Sequence, residues 1–250
     1  MQPQPVNPSA SARESARESD GDDEALKLAQ LMCSRLCHDL VGPMGGVSAG
    51  LELLAESGEG GASAAAREAL DLLNMSAGQA ARRISFFRLA FGVGGGAASM
   101  VPMQELQSAA AGFLSDASVD LDWDSGDPGM PDFVGSLPGN AAKLLLAMAL
   151  LASGALPRGG RMVVDVVRLP EGLGLAVTAL GAGATLKEDI QEALASDTPP
   201  DLMTARSVHA HLARRLAIVA GGMLEAEVGT DEVRLAALVT AAERTHRAAP

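Results

Sequence analysis

His38 is the residue in this chain around which a reaction can be built. It stands in Leu31-Met-Cys-Ser-Arg-Leu-Cys-His-Asp-Leu-Val-Gly-Pro-Met-Gly-Gly-Val-Ser-Ala-Gly-Leu-Glu-Leu-Leu54. Wound as a helix at about 100° per residue, this stretch puts Leu36, Leu40, Val47, Leu51 and Leu54 within roughly 40° of the side opposite His38. An apolar stripe therefore turns to a core and the imidazole points outward. Arg35 and Gly42 share the histidine side, and Gly45 lies almost directly below it, about two turns on. A neutral imidazole is a competent nucleophile near neutral pH. One ring nitrogen attacks, and the other must carry the proton and be oriented by an acceptor. Asp39 is adjacent in sequence, about 100° round the helix. Pro43 lacks an N–H and is expected to bend the helix without ending its apolar pattern. It is given no chemical role.

Other reactive side chains carry less. Cys33 and Cys37 sit one helical turn apart without the rest of a zinc constellation, so they read as reduced, small packing residues. His209 and His211 are two apart on an expected helix and do not face each other, so no metal site is expected there. Phe91-Gly-Val-Gly-Gly-Gly-Ala-Ala-Ser99 follows a helix and lacks a downstream Gly-Lys-Ser/Thr, which makes it a linker rather than a phosphate loop.

Composition narrows the partners. The chain has 250 residues, 48% of them hydrophobic, with five Phe, one Trp and no Tyr, so its core must be built from Ala, Leu, Val and Met. The net charge of −12 is uneven. Residues 1–23 carry five acids against two bases, residues 24–92 seven against six, and residues 93–250 nineteen against eleven. This acidity speaks against nucleic acid. The near-neutral stretch with Arg82, Arg83 and Arg88 repels an acidic protein partner least. No apolar run is long enough to span a bilayer and the first residues do not resemble a signal peptide, so a cytoplasmic, non-membrane protein is expected.

The elements that must position His38 follow in order. Residues 1–23 read as a disordered acidic tail, with Asp22 or Asp23 capping the first helix. That helix runs to about Glu56. A turn at Ser57–Ser63 leads to a second long helix ending near Phe91, with Leu70, Leu73, Ala77, Ala80, Ile84, Phe87 and Phe91 at helical period. An antiparallel hairpin over 24–92 cannot cover both apolar stripes alone. Pairing with a second copy into a four-helix bundle does, so a homodimer is expected. A glycine-rich linker over 93–100 leads to an α+β layer over 101–240. Its expected order is a helix over 102–114, a strand over 119–123, a loop over 124–137 and a buried helix over 138–156. A hairpin of 161–169 with 173–180 follows, then a short helix before Ala195, a helix over 201–220 and a hairpin of 223–228 with 232–239. Residues 241–250 read as a frayed tail.

His38-Asp39-Leu-Val-Gly-Pro43 resembles the phospho-accepting box of two-component histidine kinases. Ser34-Arg-Leu-Cys-His-Asp-Leu-Val-Gly-Pro43 is closer to the ChpT-type histidine phosphotransferases of alphaproteobacteria. The element order after the hairpin resembles the kinase ATP-binding domain, but its chemistry departs. Leu151 falls where a kinase carries its magnesium-holding asparagine. Ala179, in Thr178-Ala-Leu-Gly-Ala-Gly183, falls where the adenine-binding aspartate belongs. Ser207-Val-His-Ala-His211 stands in place of the last glycine-rich box. The resemblance thus implies a degenerate, cofactor-free ATPase-like sandwich behind a dimeric helical bundle. It implies a phosphotransferase that takes phosphate on His38 from the receiver domain of a hybrid kinase. The phosphate then passes to response-regulator aspartates, those of cell-cycle and motility control in that family, with magnesium supplied by the receiver. It also implies that Asp39 assists with the proton or holds the ring, and that Arg35, Gly42 and Gly45 meet the receiver. The competing readings are a dimeric scaffold that keeps the histidine unused and an active histidine kinase.

Overall fold

A computed structural model describes residues 10–57, 64–92, 99–123, 134–196 and 198–240, with the backbone alone for residues 10–21 and 200. The expectations for the turn at 58–63, most of the linker, most of the loop at 124–133 and the last ten residues lie outside the described residues. Two long helices come first: α1 over Ala10–Glu56 and α2 over Ala64–Phe91. α1 begins well before the expected start near residue 24, so residues 10–23 are not a disordered tail. The stretch Ala10-Ser-Ala-Arg-Glu-Ser-Ala-Arg-Glu18 is rich in strong helix formers. Extending a helix that already exists needs no new nucleus, which lets a polar sequence without an apolar period stay helical.

α1 and α2 pack antiparallel through small residues. Among residues 22–56 of α1, Pro43 and Gly50 are the buried positions, against the buried Ala66, Ala69, Ser76 and Ala80 of α2. A Cβ on Gly46 would lie 2.3 Å from the Ser76 hydroxyl oxygen, and one on Gly50 2.8 Å from Leu73 Cγ, so glycine sets how closely the backbones approach. The stripe expected to be buried is therefore not covered within one chain. Leu36, Leu40, Val47 and Leu54 are half-buried, and Leu51 is 55% exposed beside Met44 at 52%. The face of α2 carrying Leu70 and Ile84 is open as well. Cys33 and Cys37 are free thiols and exposed rather than packed.

The second layer is built as its sequence pattern indicates. Strand β1 (Met100–Pro102) leads into helix α3 (Met103–Leu114), followed by strands β2 (Val119–Asp122) and β3 (Ser136–Pro138). Helix α4 (Gly139–Gly154) precedes the hairpin of β4 (Gly160–Leu169) and β5 (Gly172–Leu180). Then come helix α5 (Glu188–Ala195), a single 3-10 turn at Pro200–Leu202, helix α6 (Val208–Val219) and the hairpin of β6 (Leu224–Val228) with β7 (Glu232–Thr240). The main sheet has the order β2-β4-β5-β7-β6, antiparallel except for the parallel β2–β4 pair. β1 and β3 form a separate two-stranded ribbon that the sequence did not suggest, each strand being only three residues long. α6 starts seven residues later than expected because the preceding segment is taken up by the 3-10 turn and by a turn in which the Thr204 and Ser207 N–H groups donate to each other's hydroxyl oxygens, at 3.1 and 3.2 Å.

Strand alternation buries Met162, Val164, Leu175, Val177, Ala179, Val233 and Leu235 on one sheet face, against α4 and its neighbours. α4 has no polar face, and every residue from Leu144 to Ala152 is buried. It packs against α2, α3, α6 and the sheet. A phenylalanine cluster fastens the hairpin to this layer: Phe86 of α2 stacks on Phe113 of α3 at 4.4 Å between centroids, with Phe87 edge-on to Phe86 at 6.0 Å. No helix among the described residues is long and apolar enough to cross a membrane. Phe86 is fully buried where both layers meet, so Phe86→Ala is expected to destabilise the fold by about 3–5 kcal/mol. Urea unfolding followed by circular dichroism and by Trp123 fluorescence checks this, and the two signals are expected to move together.

Candidate active site

His38 projects from the middle of α1 with its side chain 83% exposed. It stands on open ground: a Cβ at Gly42 or at Gly45 would meet nothing within 4 Å. Asp39 beside it is the opposite case, its side chain only 10% exposed and every group engaged. His38 Nδ1 lies 3.4 Å from Asp39 Oδ1. A carboxylate can only accept, so Nδ1 carries the hydrogen and donates it. In the neutral ring, Nε2 is then left with its lone pair. Arg35, one turn earlier, donates from Nε to Asp39 Oδ2 at 3.0 Å. The Asp39 backbone carbonyl accepts from Arg83 Nη1 of α2 at 3.1 Å, and the Arg83 guanidinium lies over the Phe113 ring of α3, 5.7 Å from its centroid. A largely covered carboxylate beside one ring nitrogen and a second ring nitrogen open to solvent suit phosphoryl capture by imidazole.

Three comparisons bear on this geometry. The profile of the histidine phosphotransferase C-terminal domain matches residues 103–232, the layer behind the hairpin. The protein phosphotransferase ChpT of Brucella abortus is 30% identical over 209 residues, covering 84% of this chain and 94% of its own length. The chain belongs to the histidine phosphotransferase family. A solved bacterial phosphotransferase has the same fold, with a TM-score of 0.71 and 28% identity over 93% of this chain and 98% of its own. The protein is thus a phosphotransferase, built as a helical hairpin followed by a mixed sheet layer.

Within this phosphotransferase the residues singled out from the sequence separate. His38, Asp39, Gly42 and Gly45 are brought together as expected from helical spacing. Arg35 joins them through its Nε, which is given to Asp39 Oδ2. Pro43 is buried inside a helix that runs on to Glu56. Leu151 and Ala179 both lie in the apolar core and offer no polar side-chain atom. No cluster of His, Cys, Asp or Glu with metal-holding spacing is found among the described residues.

Two residues of this neighbourhood escaped the sequence reading. Arg83 was counted only among the basic residues of its helix; the missing N–H of Pro43 was the available signal. His209 was singled out only as unable to face His211 across a metal. It is 4% exposed at the start of α6, which packs on α1, and its Nδ1 has no hydrogen-bond partner. Burial, reinforced by the positive charge of Arg35, pushes its pKa down to about 3. The imidazole is therefore neutral in the folded protein, while in the unfolded chain it takes up a proton below its ordinary pKa of about 6.5. Stability contributed by this group is complete above pH 6.5 and is lost progressively as pH falls from there toward about 3. Thermal melts between pH 7 and pH 4 are expected to show a steeper loss for the native protein than for His209→Leu, which has no proton to take up.

Proposed function

We propose that His38 is the phosphoacceptor of a relay between receiver domains. The observation that carries this reading is the pairing of an 83% exposed imidazole with a buried carboxylate that holds the hydrogen on Nδ1. The Nε2 lone pair attacks the phosphorus of a receiver's aspartyl phosphate in line. The N–P bond forms as the bond from phosphorus to the aspartate oxygen breaks, and the aspartate leaves as a carboxylate. The ring becomes a phosphoimidazolium that keeps its Nδ1 hydrogen, and the Asp39 carboxylate stabilises the new positive charge. Reversal onto the aspartate of a second receiver completes the relay. Donor and acceptor are then the receivers of a hybrid kinase and of response regulators, which bring their own magnesium to neutralise the moving phosphoryl group. The bare face at Gly42 and Gly45 admits a receiver surface close to the ring. ATP takes no part in this reading, because Leu151 and Ala179 supply neither a metal ligand nor an adenine acceptor.

The same reading assigns the hairpin a second task. Leu40, Met44, Val47, Leu51 and Leu54 alternate in steps of four and three along α1, and Leu70, Ala77 and Ile84 repeat every seven residues on α2. These are seams of the kind that helical bundles close. Two copies packed through them form a four-helix bundle with one His38 on each outer side, and the sheet layer is the lateral support of the hairpin.

Transfer from a receiver domain carrying labelled aspartyl phosphate tests the relay. Acid-labile label is expected on the native protein and not on His38→Ala, with none taken from labelled ATP. Asp39→Asn is expected to slow transfer by about 10- to 100-fold, the worth of a hydrogen bond to a charged group. Label taken from ATP would mean a kinase, and no label from any of several cognate receivers would mean a scaffold. Light scattering on a sizing column is expected to give a dimer for the native chain and a monomer for Leu51→Glu.

A further inference from the structure

In an α-helix each carbonyl accepts from the N–H four residues on. The residue four after Asp39 is Pro43, which has no N–H. The helix runs unbroken through this point, so the Asp39 carbonyl is left without its helical donor at the residue next to His38. A buried carbonyl without a partner is costly, and such groups are nearly always satisfied from elsewhere. The donor here comes from the other helix: Arg83 Nη1 bonds the Asp39 oxygen at 3.1 Å. The guanidinium also lies over the face of Phe113, while its Nε is buried without a hydrogen-bond partner. Arg83 thus spans three elements, joining the turn that bears the histidine to α2 and to the first helix of the sheet layer.

We propose that Arg83 is a positioning residue for the phosphoacceptor. By taking the Asp39 carbonyl that Pro43 orphans, it fixes the turn presenting His38 and ties that turn to Phe113 of the second layer. Pro43 and Arg83 act as one device: the proline frees the carbonyl and the arginine claims it. Its effect is on the transfer step, because Arg83 is half-buried behind the histidine face and touches no open surface at Gly42 or Gly45. This inference rests on His38 being the acceptor.

The test is a double-mutant cycle in the dimeric full chain, with single-turnover transfer measured across receiver concentrations. Arg83→Ala is expected to lower the saturating rate by about tenfold or more, the worth of a hydrogen bond from a charged donor, and to leave the half-saturating receiver concentration unchanged. Pro43→Ala restores an N–H to the Asp39 carbonyl. In that background Arg83→Ala is expected to change the rate by less than about threefold, a non-additivity that a merely structural arginine does not produce. Equal losses in the two backgrounds, or a change in half-saturation rather than in rate, would overturn the proposal. Circular dichroism screens each variant for folding. Should Arg83→Ala fail it, Arg83→Gln in both backgrounds supplies the same cycle with the charge removed. His38→Ala keeps the two claims apart. Label persisting on it defeats the assignment of the acceptor, whereas its loss together with an additive cycle defeats only the role of Arg83.

Discussion

A helix without a polar face has to be covered on all sides, and α4 imposes that constraint on the molecule. Its run from Leu144 to Ala152 is buried throughout. The sheet covers one side, α6 and α3 flank it, and α2 of the hairpin closes what remains. Burial of so much apolar surface is the largest favourable term available to a chain with almost no aromatic residues. It also explains why hairpin and sheet are held as neighbours and not merely joined by a linker. The Phe86–Phe113 stack sits on this seam and gives it a defined geometry.

The proposed phosphoacceptor stands at the edge of that packed body, where polarity and exposure can be set independently for adjacent residues. His38 and Asp39 are neighbours in sequence, yet one faces solvent and the other is almost fully covered. Helical geometry makes this possible, since a step of about 100° takes the chain from the open face to the side against α2 and α6. The covered carboxylate can then hold one ring proton with little competition from water. Its negative charge is offset by Arg35, so it is not buried alone. The neutral His209 packs in the same region without adding a second positive charge beside Arg35.

The layer behind the hairpin is packed as a support for it. The positions where the kinase resemblance of the sequence calls for polar ligands hold Leu151 and Ala179, both packed inside. Filling such positions with apolar groups replaces desolvated polar atoms by ordinary core contacts, which favours stability over recognition. The same layer also places Phe113 under Arg83 of α2 and His209 near Arg35 of α1, so its bulk is coupled to the place where transfer is proposed to occur.

By itself the sequence determined what depends on periodicity and local geometry. The two long helices, the buried α4, both hairpins of the sheet and the outward His38 with Asp39 a quarter-turn away are all consequences of spacings of 3.6 and 2 residues. So is the open ground at Gly42 and Gly45, because small residues at helical spacing leave space wherever the helix is placed. Spacing along one chain could not decide which apolar side of α1 its partner would cover. The stripe through Leu51 has the stronger apolar pattern, but α2 docks instead on Pro43, Gly46 and Gly50, where small residues admit the closest approach. The start of α1 was hidden as well, since a polar helix propagating from a packed one carries no apolar period. Tertiary structure alone decided the partner of the Asp39 carbonyl. The absent N–H of Pro43 announces a carbonyl in need of a donor, but Arg83 lies 44 residues away, and only the packing of α2 against α1 brings it there.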